Sequence, residues 1–187
     1  MLNLGVVGHR ILIEKEKILA SIDNALDMIE KCFHPSAINV VSVLAEGADR
    51  LVVQQILLRE NSQLTAVLPM PEAQYRDEFK IEESENEFTE LFQQAGQKIQ
   101  LSLKDNHDQA YQAAGQYMLD QCDVLILIWD GQKSQGPGGT GEIAKAARER
   151  AMPLAWIKAG NRIPGTQTPL TLGEDQGKIS YLNFPDQ

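Results

Sequence analysis

Val124-Leu125-Ile126-Leu127-Ile128-Trp129-Asp130-Gly131, followed shortly by Gly136-Pro137-Gly138-Gly139-Thr140-Gly141-Glu142, decides the fold of this chain. Its apolar run, residues 124–129, is far shorter than the roughly 20 residues of a bilayer span. It fits a strand covered by helices on both sheet faces, where no polar face remains to alternate. Four glycines in the next loop, residues 136–141, do nothing for stability, because each costs conformational entropy on folding. They are useful where backbone must lie against a ligand. Residues 140–151 then read as a helix whose first N–H groups can face an anion.

On either side the same strand-then-helix order repeats. Residues 4–7 form a short apolar opening strand, and residues 14–32 follow with a helical stripe at Ile18, Ile22, Leu26 and Ile29. Pro35 ends that segment. Residues 38–44 are β-branched and apolar, residues 47–59 read as a helix, and residues 64–68 as a third strand closed by Pro69-Met70-Pro71. An acidic helical stretch covers residues 72–94 with a break expected near Ser84, then a weaker strand at 98–103 and a helix at 108–121. Residues 153–158 are the last clear strand. Such alternation predicts an α/β fold, a doubly wound, mostly parallel sheet with helices on both faces, Rossmann-like in layout. Residues 1–160 would form this domain. Residues 161–187, polar and rich in Gly and Pro, read as a surface tail with room for an edge strand near 180–184.

Composition fits one globular domain: 187 residues, 43% hydrophobic and 23% charged. Met1-Leu2-Asn3-Leu4-Gly5 lacks a basic leader region, and Cys32 and Cys122 make neither a disulfide framework nor a metal spacing. A cytoplasmic protein with reduced thiols and no membrane association is expected. His9, His34 and His107 are scattered, so no metal site is expected either. Net charge is −9, with acid concentrated between Glu72 and Glu90, which disfavours nucleic acid as a partner. A homo-oligomer stays open.

Ligands of open α/β sheets bind beyond the carboxyl ends of the strands, so candidate residues should follow each strand directly. After the first strand stand Gly8, His9 and Arg10. Gly8 permits close backbone approach, Arg10 offers a planar fork for phosphate or carboxylate, and His9 is either a local hydrogen-bonder or a catalyst. After the second stand Gly47, which can expose N–H groups at a helix start, and Asp49, either a ligand contact or a complement to the helix dipole. Arg76, with Tyr75, follows the stiff Pro69-Met70-Pro71 loop and either holds a base or phosphate or lies on the surface. Tyr111 and Tyr117 are as consistent with core as with site. Asp130, Gly131, Gly138, Gly139, Thr140 and Gly141 make up the strongest candidate, an anion nest with an added hydroxyl. Glu142, in the first helical turn, either caps the helix, holds a ribose hydroxyl, or acts as a nucleophile or base.

The loop is not a Walker A sequence, since no Gly-Lys-Ser/Thr follows at the required spacing. The first turn also lacks the glycines of a dinucleotide fingerprint. No cofactor is therefore expected. Taken together, Gly-His-Arg after the first strand, Glu46-Gly47-Ala48-Asp49-Arg50 after the second, Cys122-Asp123 leading into Trp129-Asp130-Gly131, and Gly138-Gly139-Thr140-Gly141-Glu142 resemble the SLOG superfamily over residues 3–158. This group of Rossmann-like proteins includes relatives of DNA-processing protein A and the lonely-guy, lysine-decarboxylase-like phosphoribohydrolases. The resemblance implies binding of a nucleotide or nucleoside-phosphate derivative, with Gly8, Arg10, Gly47, Gly138, Gly139, Thr140 and Glu142 lining the site. It implies either a sensor or an enzyme cleaving an N-glycosidic bond. The phosphoribohydrolase pattern, aligned on Pro137, has Thr where Glu142 stands and Glu where Lys145 stands. Residues 123–146 also resemble nucleoside deoxyribosyltransferases, with Glu142 one residue early. A binding module is thus the leading expectation, with Glu142 on the ribose. An N-glycosidase or glycosyl transferase using Glu142, assisted by Asp49 or His9, is the alternative.

Overall fold

The computed structural model describes residues 1–102, 106–133 and 138–185. Strands β1 (Leu2–Gly8), β2 (Ile38–Ser42), β3 (Ser62–Leu68), β4 (Gln97–Gln100), β5 (Val124–Trp129), β6 (Leu154–Lys158) and β7 (Ile179–Leu182) build one sheet in the order β4-β3-β2-β1-β5-β6-β7. Every pairing is parallel except β6 with β7. Strand order therefore runs one way from β1 through β4 and the other way from β5, and it reverses between β1 and β5.

Helices α1 (Lys15–Phe33), α2 (Ala48–Leu57), α3 (Glu72–Arg76), α4 (Glu82–Gln94), α5 (His107–Gln121) and α6 (Thr140–Glu149) connect the strands. The strand period of two sorts the core into layers. Val6, Val40 and Ile126 pack with Ile18, Ile22, Leu26 and Ile29 of α1, Val52 of α2 and Phe88 of α4. Their sequence neighbours Val41, Leu125 and Leu127 pack with Ala114 and Met118 of α5 and Ile143 and Ala147 of α6. The fold is doubly wound as expected, and β5 is buried at every position. Burying an aliphatic side chain is worth about 1.5–3 kcal/mol.

Differences from the expected boundaries have local causes. The acidic stretch breaks at residues 77–81, earlier than Ser84. There the chain turns so that Tyr75, fully buried, stacks edge-on against Phe79 and Phe88 at 5.2 and 5.5 Å. The segment after Gly160 lies largely at the surface and supplies the edge strand, yet it is also stitched to the body. Buried Gln176 accepts the N–H groups of Gly160 (2.9 Å) and Leu172 (3.1 Å) and donates to the Ile13 carbonyl (3.1 Å). The segment ends in the antiparallel strand β7, and Phe184 meets Phe33 edge-on at 5.4 Å. Among the described residues no helix is long and apolar enough to cross a membrane.

Candidate functional site

A cavity of about 700 Å³ opens at the carboxyl ends of β1 and β5, where strand order reverses. Gly8, His9, Arg10, Asp49, Asp130, Gly138, Gly139, Thr140 and Gly141 line it, gathered from three loops that lie as many as 133 residues apart. The first turn of α5 completes one wall with His107, Asp108 and Tyr111, and residues after β6 another with Asn161, Arg162 and Leu170.

The β1 loop is held by main-chain bonds on both sides. The His9 N–H donates to the Ile128 carbonyl of β5, and the His9 carbonyl accepts the Ala48 N–H at the start of α2, each at 3.0 Å. These bonds bring α2 so close that a Cβ on Gly8 would stand 2.5 Å from both the Ala48 Cβ and the Ile128 carbonyl oxygen. Gly47 does not line the cavity. At φ +79° it leaves no room for a side chain, since a Cβ there would stand within 2.5 Å of the carbonyl oxygens of Arg10 and His9.

Asp49 is buried at the cavity floor. It accepts the Ser42 hydroxyl at 3.0 Å and the Ala45 N–H, and burial raises its carboxyl to about 7 despite Arg10 and Arg50 nearby. Ser42 Oγ in turn accepts the Leu44 N–H at 2.9 Å, and the buried Arg50 Nε donates to the Leu44 carbonyl at 3.0 Å. Leu44 is held at φ +56°, a region that non-glycine residues rarely occupy. Two side chains thus fix a strained turn at the edge of the site. The far end of Arg50 bonds Ser84 and Glu87 (2.8–3.0 Å) and lies 4.5 Å above the Phe79 ring.

His9 is buried, and burial lowers its pKa against the opposing pull of Asp130. The neutral ring agrees with the geometry: the Asp130 N–H donates to Nε2 at 3.1 Å, which requires a lone pair there and puts the proton on Nδ1. The 3.3 Å approach of Asp130 Oδ1 to Nε2 is therefore not an ion pair in this state. The Asp130 carboxylate instead accepts the Gln132 N–H at 2.9 Å.

Arg10 projects into the cavity with its guanidinium 4.9 Å above the Tyr111 ring. The side chain is exposed to solvent; the partial desolvation it meets at the cavity wall opposes its charge, but Tyr111, Tyr75 and Glu46 more than offset this and raise its pKa. No carboxylate lies within ion-pair distance of it among the described residues.

The glycine loop reaches the cavity at its helical end; residues 134–137, with Gly136 and Pro137, lie outside the described residues. Gly138, at φ +72°, nestles on α5, where a Cβ would stand 2.7 Å from the Gln112 nitrogen. Glu142 accepts the Gly138 N–H at 2.9 Å, and its own N–H donates to the Gly139 carbonyl at 3.0 Å. Its carboxylate is thus engaged as a cap and does not line the cavity, which departs from the ribose role expected for it. Thr140 and Gly141 remain as first-turn donors, with no acceptor among the described residues. Gly131, at φ +84°, does not line the cavity, and a Cβ there would stand 3.3 Å from the Trp156 ring.

Arg76 is elsewhere. It binds Glu72 through Nε (3.0 Å) and Nη2 (2.8 Å) and Thr89 through Nη1 (2.5 Å), and its guanidinium stacks 5.2 Å above Phe88, joining α3 to α4. The loop after β3 is thus turned inward, and Tyr75 donates to the Val43 carbonyl at 2.8 Å. Conversely, Lys133, Arg162 and His107 line the cavity without having been singled out as ligand residues, and Tyr111, left open between core and site, lines it too. Position was the available signal for three of them, since each follows a strand end or opens a helix at that edge. Among the described residues no group of three or more His, Cys, Asp or Glu is placed to hold a metal ion. Compared with known proteins, the chain matches no family model and no curated sequence.

Proposed function

We propose that the cavity binds a nucleotide or nucleoside phosphate and that the protein is a binding module or sensor rather than a catalyst. One observation carries this reading. At the reversal of strand order, the first-turn residues of α6 and Arg10, whose guanidinium has no carboxylate partner among the described residues, line the same cavity. Helix N-termini favour anions through free donors and the positive end of the dipole. The volume suits a small ligand of nucleotide size. Val6, Val7, Val43, Met118 and Ile143 offer the apolar lining that a base and sugar need. The kinship suggested by the SLOG-like motifs points the same way. Glu142 favours binding over glycosidic cleavage, because its carboxylate is engaged with Gly138 outside the cavity lining. The reading places the protein in the cytoplasm, in keeping with the free thiols of Cys32 and Cys122; burial pushes the Cys122 thiol up to about 12.

Calorimetric titration with nucleoside monophosphates, diphosphates and the matching nucleosides tests it. Replacing Arg10 with Ala should weaken nucleotide binding by about 1.5–3 kcal/mol, the range of a charge-assisted hydrogen bond, and leave nucleoside binding nearly unchanged. Equal losses for both ligand types would make Arg10 a structural residue. Release of free base over many turnovers, followed chromatographically, would replace the binding reading with the glycosidase one.

A further inference from the structure

Arg10 is not alone at the cavity: Lys133, from the loop after β5, and Arg162, from the segment after β6, also line it. Neither makes an ion pair with a carboxylate among the described residues, in a chain whose net charge is −9. The carboxylates of the same cavity are mostly engaged. Asp49 accepts Ser42 and Ala45, Asp130 accepts the Gln132 N–H, and Glu78 faces His107 at 3.0 Å. Asp108 stands in the first turn of α5, where the helix dipole favours an acid. Three cations at this cavity thus lack an ion-pair partner among the described residues, while most of its carboxylates already accept hydrogen bonds or face a histidine.

The two cationic sides are separated by the fold. Arg10 rises from β1 and Arg162 from the chain beyond β6, with β5 between them. Two strand spacings correspond to about 10 Å. Arg162 is also placed rather than dangling. It forms a β-bridge with Pro169, Ile163 donates to the Thr168 carbonyl at 2.9 Å, and Leu170 donates to the Asn161 carbonyl at 2.6 Å. A hairpin so closed carries Arg162 and Leu170 at the cavity rim, with the Arg162 Nη1 bonded to Gln167 at 3.3 Å.

We infer that Lys133 and Arg162 read a second anionic group, so that the ligand is an oligophosphate, such as a nucleoside diphosphate or triphosphate, and not a monophosphate. This rests on the nucleotide reading above, with one difference: it concerns the number of phosphates and not the base. Arg10 and the start of α6 hold one phosphate. Lys133 and Arg162 hold the next, from the other side of the β5 end.

Two probe series separate the two readings. Orthophosphate, pyrophosphate and tripolyphosphate carry no base, whereas AMP, ADP and ATP, with the guanosine set beside them, add one. Wild-type protein should bind tripolyphosphate and the nucleoside triphosphates at least tenfold tighter than orthophosphate and the monophosphates. Arg162→Gln and Lys133→Gln should each remove about tenfold of that preference, the equivalent of one charge-assisted contact, while monophosphate binding stays as it was. Both side chains are exposed, so thermal unfolding should not move; Arg162→Lys should restore part of the preference, and Lys31→Gln, outside the cavity, should change nothing. Nucleotide binding without a preference for phosphate number, or equal losses for mono- and triphosphates in the variants, overturns the inference and spares the nucleotide reading. Tripolyphosphate preference without any gain from a nucleoside does the opposite. Binding of none of the probes ends both.

Discussion

Replacing Asp49 with Asn should change how stability depends on pH far more than its value at acid pH. The carboxyl is fully buried, and burial moves its ionisation from the ordinary 3.8 to about 7. In the unfolded chain it would ionise near 3.8. Between these values the folded state holds a proton that the unfolded state has released. Stability from this group is therefore complete below about pH 4, falls as pH rises, and is lost once pH passes 7. At about 1.4 kcal/mol per pH unit, the window amounts to roughly 4 kcal/mol. Asn resembles the protonated acid and carries no such penalty. The difference in unfolding free energy between Asp49→Asn and wild type should thus shift in favour of the variant by about 4 kcal/mol from pH 4 to pH 8. Other titrating groups cancel in that difference. The constant offset, set by how well an amide replaces the acid between Ser42 and Ala45, does not affect the slope. Urea unfolding at half-unit pH steps measures it, and carboxyl carbon NMR of Asp49 measures the titration directly. A difference that does not change with pH, or titration of Asp49 near 3.8, would refute the reasoning. Arg10→Ala supplies a sign check: it removes a charge that favours the ionised carboxylate, so the loss of stability should begin near the same pH but extend to higher pH and grow in total.

Gly8→Ala should cost about 2–3 kcal/mol in urea unfolding, because its Cβ would press on main chain of β5 and on α2, neither of which can yield cheaply; a loss below about 0.5 kcal/mol would show that the β1 loop is looser than described. Glu142→Gln should change stability by less than about 1 kcal/mol and leave nucleotide affinity unaltered, since an amide oxygen can still accept the Gly138 N–H. A tenfold loss of affinity in the same titration would return Glu142 to the ribose.

What was legible in the sequence was whatever the chain's own periodicity encodes. The stripe through Ile18, Ile22, Leu26 and Ile29 and the unbroken run of β5 each report a buried face, because spacing alone decides which side chains point inward. The rule that ligand sites follow strand ends brought Gly8, Arg10, Asp130 and Thr140 to attention, and they do line one cavity. Arg76 obeyed the same rule and yet lies away from it. The reason is nonlocal: Glu72 and Thr89 claim its guanidinium once α3 and α4 fold back on each other, and no spacing in the sequence announces that meeting. Gly47 shows the converse. Its place at a helix start was readable, but the His9 and Arg10 carbonyls that leave no room for a Cβ there come from the loop after β1, far away in sequence. Arg162 was hidden for a third reason. The segment around it has the polar, glycine- and proline-bearing composition of a surface tail, and only the Gln176 network, by tying residues 160 and 172 to Ile13, turns it into a wall of the cavity. Position at a strand end thus nominates a side chain. Whether that side chain is free to meet a ligand is settled by partners supplied from elsewhere in the fold, and the leftover cations at this cavity are the residues for which the described fold supplies no ion-pair partner.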